Sequence, residues 1–197
     1  LGGLDETVTL VVLSLSVGLF ISVFFALGRI SNFRFLSQTI YYYIFIIRGT
    51  PLLVQIYLIY FGLGSIKAVR ESISWILLKE PFWCGVIALV LNTVAYTTEI
   101  IRGGIQSVTK GQIESCKSFG MNRVIMYYKI ILPVAFRQDF PAYGNEMILM
   151  VKATSLVSLT TYMEMTGLAR NIMSKTFAPI EAFIAAGSIY LFLNFLI

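Results

Sequence analysis

Long apolar runs alternate with polar intervals along the chain. Five runs share a length and character suited to a membrane: residues 7–28, residues 35–63, residues 82–101, and the two that begin near Pro133 and Pro179. About 20 apolar residues are enough to cross a bilayer as a helix. The pattern therefore predicts an all-α membrane protein with about five transmembrane helices, folded as a single domain over residues 1–197. Both ends of the sequence are expected to be trimmed.

Two of these runs contain features that are costly in lipid. The second is interrupted at residues 48–51 by Arg-Gly-Thr-Pro, and Pro51 predicts a bend whose freed carbonyl groups need partners in protein or water. The fourth contains Arg137, Asp139, Asn145 and Glu146, so we expect it to face protein or a cavity on part of its surface.

The composition agrees with a membrane protein and excludes several kinds of chemistry. The charged fraction is 13%, against about 25% in soluble domains. There is no histidine, and the two cysteines are far apart, so the sequence predicts neither a metal site nor a disulfide. It also has no P-loop, so we expect no ATP binding by that route. The net charge of +5 is interpreted as a topology signal, not as a nucleic-acid-binding surface.

Basic residues predict the orientation. With five spans, residues 29–34 and 102–129 lie on the same side and contain seven Lys and Arg residues, against six on the other side. The positive-inside rule counts only Lys and Arg, so by this narrow margin it places residues 102–129 in the cytoplasm and the N-terminus outside.

The polar interval at residues 109–129, here called the coupling segment, predicts two short helices separated at Gly120. Gly120 suits a left-handed position after a helix, and Asn122 suits the cap of the next one. We expect Glu114 in the first turn of the first helix, Lys117 near its end, and Pro133 at the start of a further helix. The segment is either a solvated loop or a docking element in which Ile113, Cys116 and Phe119 supply apolar contacts to a partner.

Four motifs in order resemble type I ABC importer permeases of the polar amino acid branch. The EAA motif of that family is matched by Glu114, Gly120 and residues 130–133, although Ser115 and Cys116 replace its two alanines. The other three motifs are Arg-Gly-Thr-Pro at 48–51, Glu-Ile-Ile-Arg-Gly-Gly-Ile at 99–105 and Lys-Ala-Thr-Ser-Leu at 152–156.

This resemblance implies a bacterial inner-membrane transport subunit and not an enzyme. It implies a role in ATPase coupling for Glu114, Ser115, Cys116 and Gly120. The expected partners are ATP-binding cassette subunits, which would hold ATP and Mg²⁺, a second permease in a homo- or heterodimer, an extracytoplasmic binding protein and an amino acid substrate. No cofactor is expected in this chain, and no nucleic acid partner.

Polar residues within the apolar runs predict a substrate path. Asn92, Tyr96, Glu99 and Gly103 follow helical spacing on one face, and in the fourth run Asn145 and Lys152 share a face with Glu146 beside it. A zwitterionic amino acid needs a cation for its carboxylate and acceptors for its ammonium group. We expected the first from Lys152 with Thr154 and Ser155, and the second from Asn145, Glu146 and Asn92. The resemblance supports this most strongly around Lys152.

Other interpretations remain open from the sequence. The same polar residues could only join helices through hydrogen bonds and ion pairs, and Arg48 could serve either the bend or a ligand. The substrate could be an opine or another amino-acid-like solute, and the chain could instead be a channel or a membrane scaffold. An intramembrane enzyme is disfavoured because histidine and a nucleophile motif are both missing.

Overall fold

The structure is a computed structural model that describes residues 2–197, and these residues form helices and connecting turns without a strand. Six helices have nine or more residues and lie outside the coupling segment: α1 (Gly2–Ile30), α2 (Arg34–Gly49), α7 (Pro81–Ser107), α10 (Leu132–Val157), α11 (Met165–Thr176) and α12 (Pro179–Leu196). The all-α prediction is therefore confirmed.

Shorter elements connect these helices. Between α2 and α7 lie α3 (Leu52–Tyr57), a π-helical turn (Leu58–Gly62), α4 (Leu63–Ser65), α5 (Lys67–Arg70) and α6 (Trp75–Leu78). Between α7 and α10 lie α8 (Lys110–Ser118), α9 (Arg123–Met126) and a second π-helical turn (Tyr127–Ile131). A 3-10 turn, Ser158–Thr160, follows α10.

Among the described residues, three or four helical segments are long and apolar enough to cross a membrane. α1, α7 and α12 are each long and apolar enough, and α2 with the helices from Leu52 to Ser65 forms a fourth span if this pair, bent by 103°, is counted as one. α10 has 26 residues, which is long enough, but its charged residues make it less apolar than α1, α7 and α12. The count of five therefore depends on α10 and stays a prediction.

The core lies where α1, α7 and α10 pack together. Leu10 on α1, Leu89 and Val94 on α7, and Met150 and Val157 on α10 are almost completely buried in one cluster. Fully buried hydroxyl residues, such as Ser22 and Thr93, line the contact between α1 and α7. Small side chains let two helix backbones approach closely in a membrane protein. The three-helix core is thus the rigid frame against which the bent second span is held.

The bend between α2 and α3 occurs where residues 48–51 predicted it. Thr50 and Pro51 are extended, and the Gln55 amide then supplies the hydrogen bonds that the break removes. Its Nε2 donates to the Ile47 carbonyl at 2.7 Å, to the Thr50 carbonyl at 3.1 Å and to the Thr50 hydroxyl at 2.8 Å. A buried side chain therefore satisfies carbonyl groups at the break.

A buried carboxylate, Glu164, joins the two ends of the chain. Its Oε1 accepts hydrogen bonds from the backbone N–H groups of Thr166 (2.8 Å) and Gly167 (3.0 Å), which caps α11. Its Oε2 accepts from the Tyr190 hydroxyl on α12 at 2.7 Å and from the Thr7 hydroxyl on α1 at 3.3 Å. This network holds α1, α11 and α12 together at one end of the bundle.

Candidate translocation site and coupling segment

The first helix of the coupling segment begins earlier than the sequence pattern predicted. Thr109 caps α8 by accepting from the Gln112 N–H, and the Gln112 side chain accepts in return from the Thr109 N–H. This capping box fixes the start of the helix at Lys110. Glu114 therefore lies in the second turn and not the first, which corrects our expectation and removes its proposed interaction with the helix dipole. Lys117 lies in the last turn, as predicted.

The break between the two helices is confirmed. Gly120 has a φ of +70°, a left-handed conformation that glycine adopts without the steric penalty of other residues. Asn122 caps α9 by accepting from the Ile125 N–H at 2.8 Å. From Arg123 the chain stays helical through the π turn into α10. Pro133 lies at the start of α10, as predicted, and the preceding π turn leads into this helix without a break.

Exposure separates the four predicted coupling residues into two groups. Glu114, Ser115 and Gly120 are exposed and available to a partner. Cys116 is buried, and it packs in a small apolar cluster with Val108, Met126 and Ile131. Our expectation that Cys116 supplies a contact to a partner is therefore wrong, because its side chain points beneath α8.

The apolar surface of the coupling segment lies on other residues. Phe119 is 83% exposed, Tyr128 is 77% exposed and Val124 is 76% exposed. Of these only Phe119 was predicted, because the other two fall in α9 and the π turn. Exposed aromatic and aliphatic side chains of this size on a polar helix pair are suited to a protein partner.

Several polar residues from three helical elements line one cavity of about 440 Å³. α7 contributes Asn92 and Tyr96, and α10 contributes Glu146, whose side chain is 5% exposed. The bend after α2 supplies the remaining polar wall with Arg48 and Thr50. The cavity thus combines a cation, an anion and an amide.

The predicted polar face of α7 is confirmed for three of its four residues. Asn92 and Tyr96 line this cavity, and Tyr96 and Glu99 line a second one. Gly103 lies beyond both, is exposed, and has no contact that a side chain there would meet.

Four predicted path residues on α10 lie outside the cavity that contains Glu146. Lys152 and Ser155 line a separate groove against α12, with Tyr190 and Asn194. The Thr154 hydroxyl is completely buried and donates to the Val151 carbonyl at 2.7 Å. Asn145 is exposed and lines neither the cavity nor the groove. Lys152, Thr154 and Ser155 therefore do not share a cavity with Asn92 within this chain, and their place in a substrate path stays a prediction.

Arg48, near the end of α2, is the cation at the wall of this cavity. Its Cζ lies 4.9 Å from the centroid of the Tyr96 ring, within the range of a cation–π contact. The sequence left the role of Arg48 open, because the motif at residues 48–51 is compatible both with a bend and with a ligand contact. In the structure Arg48 lies in the last turn of α2, just before the bend, and it lines the cavity wall.

Glu99 is the centre of an ionic cluster beside the second cavity. It accepts from Arg102 Nη2 at 2.6 Å and from Arg102 Nε at 2.9 Å, and its Oε1 lies 3.6 Å from Arg29 Nε. Arg29 in turn donates to the Ser37 hydroxyl at 3.0 Å. These contacts join α1, α2 and α7, so Glu99 serves to fix helices to one another.

The described residues offer no metal site. Within residues 2–197, no three His, Cys, Asp or Glu side chains are grouped so that they could hold an ion.

Comparison with known proteins shows what kind of molecule carries this cavity and this segment. Residues 18–197 match the family described as binding-protein-dependent transport system inner membrane component. The nopaline transport system permease of Agrobacterium fabrum is 48% identical over all of this chain and 82% of its own. The Escherichia coli histidine/lysine/arginine/ornithine permease HisM is 38% identical over 99% of this chain and 82% of its own.

Two solved structures resemble the fold. A crystal structure of an amino acid ABC transporter with histidines has a TM-score of 0.87 and 36% identity, and covers 99% of this chain and 87% of its own. An inward-facing structure of the MetNI methionine ABC transporter has a TM-score of 0.68 at 13% identity, which supports the fold alone.

The fold and the site define a multi-pass inner-membrane transport subunit and not an enzyme. The chain belongs to the binding-protein-dependent transport system inner membrane component family. Members of this family are the permeases of ABC importers, which work with ATPase subunits and binding proteins. The family resemblance drawn from the four motifs is confirmed.

Proposed function

We propose that this chain moves a polar amino acid across the membrane as one of two permease subunits, identical or different, in an ATP-driven importer. An extracytoplasmic binding protein delivers the substrate, and two ATPase subunits dock on the coupling segment. ATP and Mg²⁺ belong to those subunits. The relatives that carry amino acids in their names support this proposal.

The observation that carries the proposal is the pairing of opposite charges across one cavity. Arg48 supplies a guanidinium that suits the α-carboxylate of an amino acid, and the nearly buried Glu146 supplies an acceptor for its ammonium group. Asn92 offers both a donor and an acceptor between them. Charges within a membrane are costly, and they mark a path for a polar solute when they face a cavity.

A second candidate substrate is an opine. The nopaline permease and two octopine permeases are each 48% identical to this chain, more than the 38% of HisM. An opine contains an amino acid joined to a further carboxylate, so it needs a second cation. Lys152, which lines the separate groove against α12, is the candidate for this second cation, and an opine would have to extend from the cavity into that groove to reach it.

Direct binding to the purified permease–ATPase complex, without the binding protein, tests this proposal. Radiolabelled arginine, histidine, octopine and nopaline are compared in the wild type and in Arg48→Gln and Glu146→Gln. A hydrogen bond to a charged group contributes about 1.5–3 kcal/mol, so each variant should weaken binding by about 10- to 150-fold. Lys152→Ala should weaken arginine binding less than Arg48→Gln, but should weaken octopine binding strongly if an opine is the substrate.

Exposed charges provide the matched controls. Arg34→Gln and Glu71→Gln remove the same groups outside the cavity and should leave binding unchanged. Equal binding in wild type, Arg48→Gln and Glu146→Gln would contradict the assignment of the cavity. Failure of any ATPase to co-purify with the wild type would instead favour a channel or scaffold.

A further inference from the structure

Two cavities meet at the same pair of side chains. Arg48 and Tyr96 line the cavity that contains Glu146, here called the upper cavity, and they also line a second cavity of about 380 Å³. This second one, the lower cavity, contains Glu99 and Tyr41 instead of Glu146 and Asn92. Arg48 and Tyr96 therefore stand between the two spaces.

The two cavities follow one another along α7 toward the coupling segment. Asn92, Tyr96 and Glu99 share a face of the helix, and each residue adds about 1.5 Å of rise, so Glu99 lies roughly 10 Å beyond Asn92. α7 ends at Ser107, two residues before the coupling segment begins. The lower cavity therefore lies nearer to the coupling segment, on what is here called the coupling side. Tyr96 is the α7 residue that lines both cavities.

The contact between these two side chains is one that can open. Among residues 2–197 no carboxylate lies within 4 Å of the Arg48 guanidinium, which instead stands over the Tyr96 ring at 4.9 Å. Glu99, by contrast, is held by Arg29 and Arg102. Arg48 also lies in the last turn of α2, two residues before the extended Thr50, so the helix ends close to it on that side.

We propose that the Arg48–Tyr96 stack is the barrier that closes the upper cavity toward the coupling side. With the guanidinium over the ring, the passage between the cavities is filled by these two side chains. When they separate, the upper and lower cavities become continuous. The inference rests on the proposed function for the direction of transport, but the barrier itself can be measured without any substrate.

Thiol accessibility in membrane vesicles tests the barrier. In a background with Cys84→Ala and Cys116→Ala, Ala153→Cys places one small reporter in the upper cavity. The reagent is sulfonatoethyl methanethiosulfonate, which does not cross membranes. Ser118→Cys, exposed on α8, marks vesicles in which the coupling side faces the reagent, and the complete permease–ATPase complex is used throughout.

The expected result is slow labelling of Ala153→Cys from the coupling side, accelerated by loss of the stack. A cation–π contact of about 1–2 kcal/mol corresponds to roughly five- to thirtyfold faster labelling in Tyr96→Ala. Tyr96→Phe keeps the ring and should label like the wild type, as should Tyr42→Ala, which removes an exposed ring of the same size on α2. Arg48→Gln removes the other side chain of the stack and should also accelerate labelling. It provides a second test if Tyr96→Ala fails to assemble.

Equal rates in the wild type, Tyr96→Ala and Arg48→Gln would overturn the barrier, as would fast labelling of the reporter in the wild type. The outcome is independent of the substrate. If the binding experiment fails while Tyr96→Ala accelerates labelling, the barrier stands and only the amino acid assignment falls.

Discussion

The carboxylate of Asp139 on α10 lies directly against the backbone of Gly104 on α7, in the space that a side chain at position 104 would need. The surrounding groove of about 350 Å³ is otherwise mostly apolar, with Ile101, Ile105 and Phe136 among its walls. Only glycine permits this approach, because any β-carbon would displace the carboxylate. Gly103, next in the chain, faces open space.

Gly104→Ala should therefore destabilise the packing of α7 against α10, whereas Gly103→Ala should not. Forcing an extra carbon into a packed contact costs about 1–3 kcal/mol. Thermal unfolding of the detergent-purified complex should show a lower midpoint for Gly104→Ala alone. Because the two variants carry the same chemical change one residue apart, equal midpoints would mean that the contact does not contribute to stability.

Replacing Gln55 should weaken the bend after α2. Gln55→Leu keeps the volume but leaves the Ile47 and Thr50 carbonyl groups without their donor, at a cost of about 1–3 kcal/mol for a buried unsatisfied group. We expect reduced thermal stability together with reduced substrate binding, since Arg48 depends on this bend. Gln38→Leu, at an exposed position on α2, is the control and should behave as the wild type.

Loss of the Glu164 carboxylate should loosen the end of the bundle where α1, α11 and α12 meet. Glu164→Ala leaves the N–H groups of Thr166 and Gly167 and the Tyr190 hydroxyl without their acceptor. With about 1–3 kcal/mol for each buried unsatisfied group, we expect a loss of at least about 2 kcal/mol. Denaturant unfolding measures it, and the exposed Glu181→Ala should lose far less.

The coupling segment should lose function when its exposed residues change. Glu114→Ala removes an exposed carboxylate outside the first turn of α8, so we expect an unchanged melting temperature and lower substrate-stimulated ATP hydrolysis. Gly120→Val adds about 1–2 kcal/mol of strain at a φ of +70°, without a clash, and should also lower hydrolysis. Full stimulated hydrolysis in both variants would make the segment an ordinary loop.

The orientation has its own test. Ser72→Cys, in the exposed stretch between α5 and α6, should react with an impermeant thiol reagent in intact cells, whereas Ser118→Cys on α8 should not. This follows from placing the basic residues 102–129 in the cytoplasm. The reverse pattern would invert the topology, and with it the side on which an ATPase can dock.

Much of the architecture is local enough to predict from the sequence. The bend at Pro51, the left-handed Gly120 and the Asn122 cap depend on residues close together in the chain, and all three are present in the structure, as are three or four of the five predicted spans. The start of α8 was predicted too far along the chain, because the prediction placed Glu114 in the first turn and overlooked the capping box formed by Thr109 and Gln112.

The composition of the cavity could not be predicted, because it depends on how α2, α7 and α10 are rotated against one another. Helical spacing placed Asn92 and Tyr96 on one face of α7, but Lys152 and Glu146 lie on different sides of α10, and spacing alone did not show which side faces α7. Gln55 and Arg48 gain their roles only through the bend.

The unbroken helical stretch from Arg123 to Val157 has a mechanical consequence. Glu146 lies 23 residues beyond Arg123 on the same rod, which is about 35 Å at 1.5 Å per residue, so a tilt of about 10° at the coupling segment would displace Glu146 by roughly 6 Å. The π turn at Tyr127–Ile131 and Pro141 are the two places where that rod can bend. A tilt of the coupling segment is therefore transmitted to Glu146 in the cavity wall to the extent that the helix stays straight at these two places.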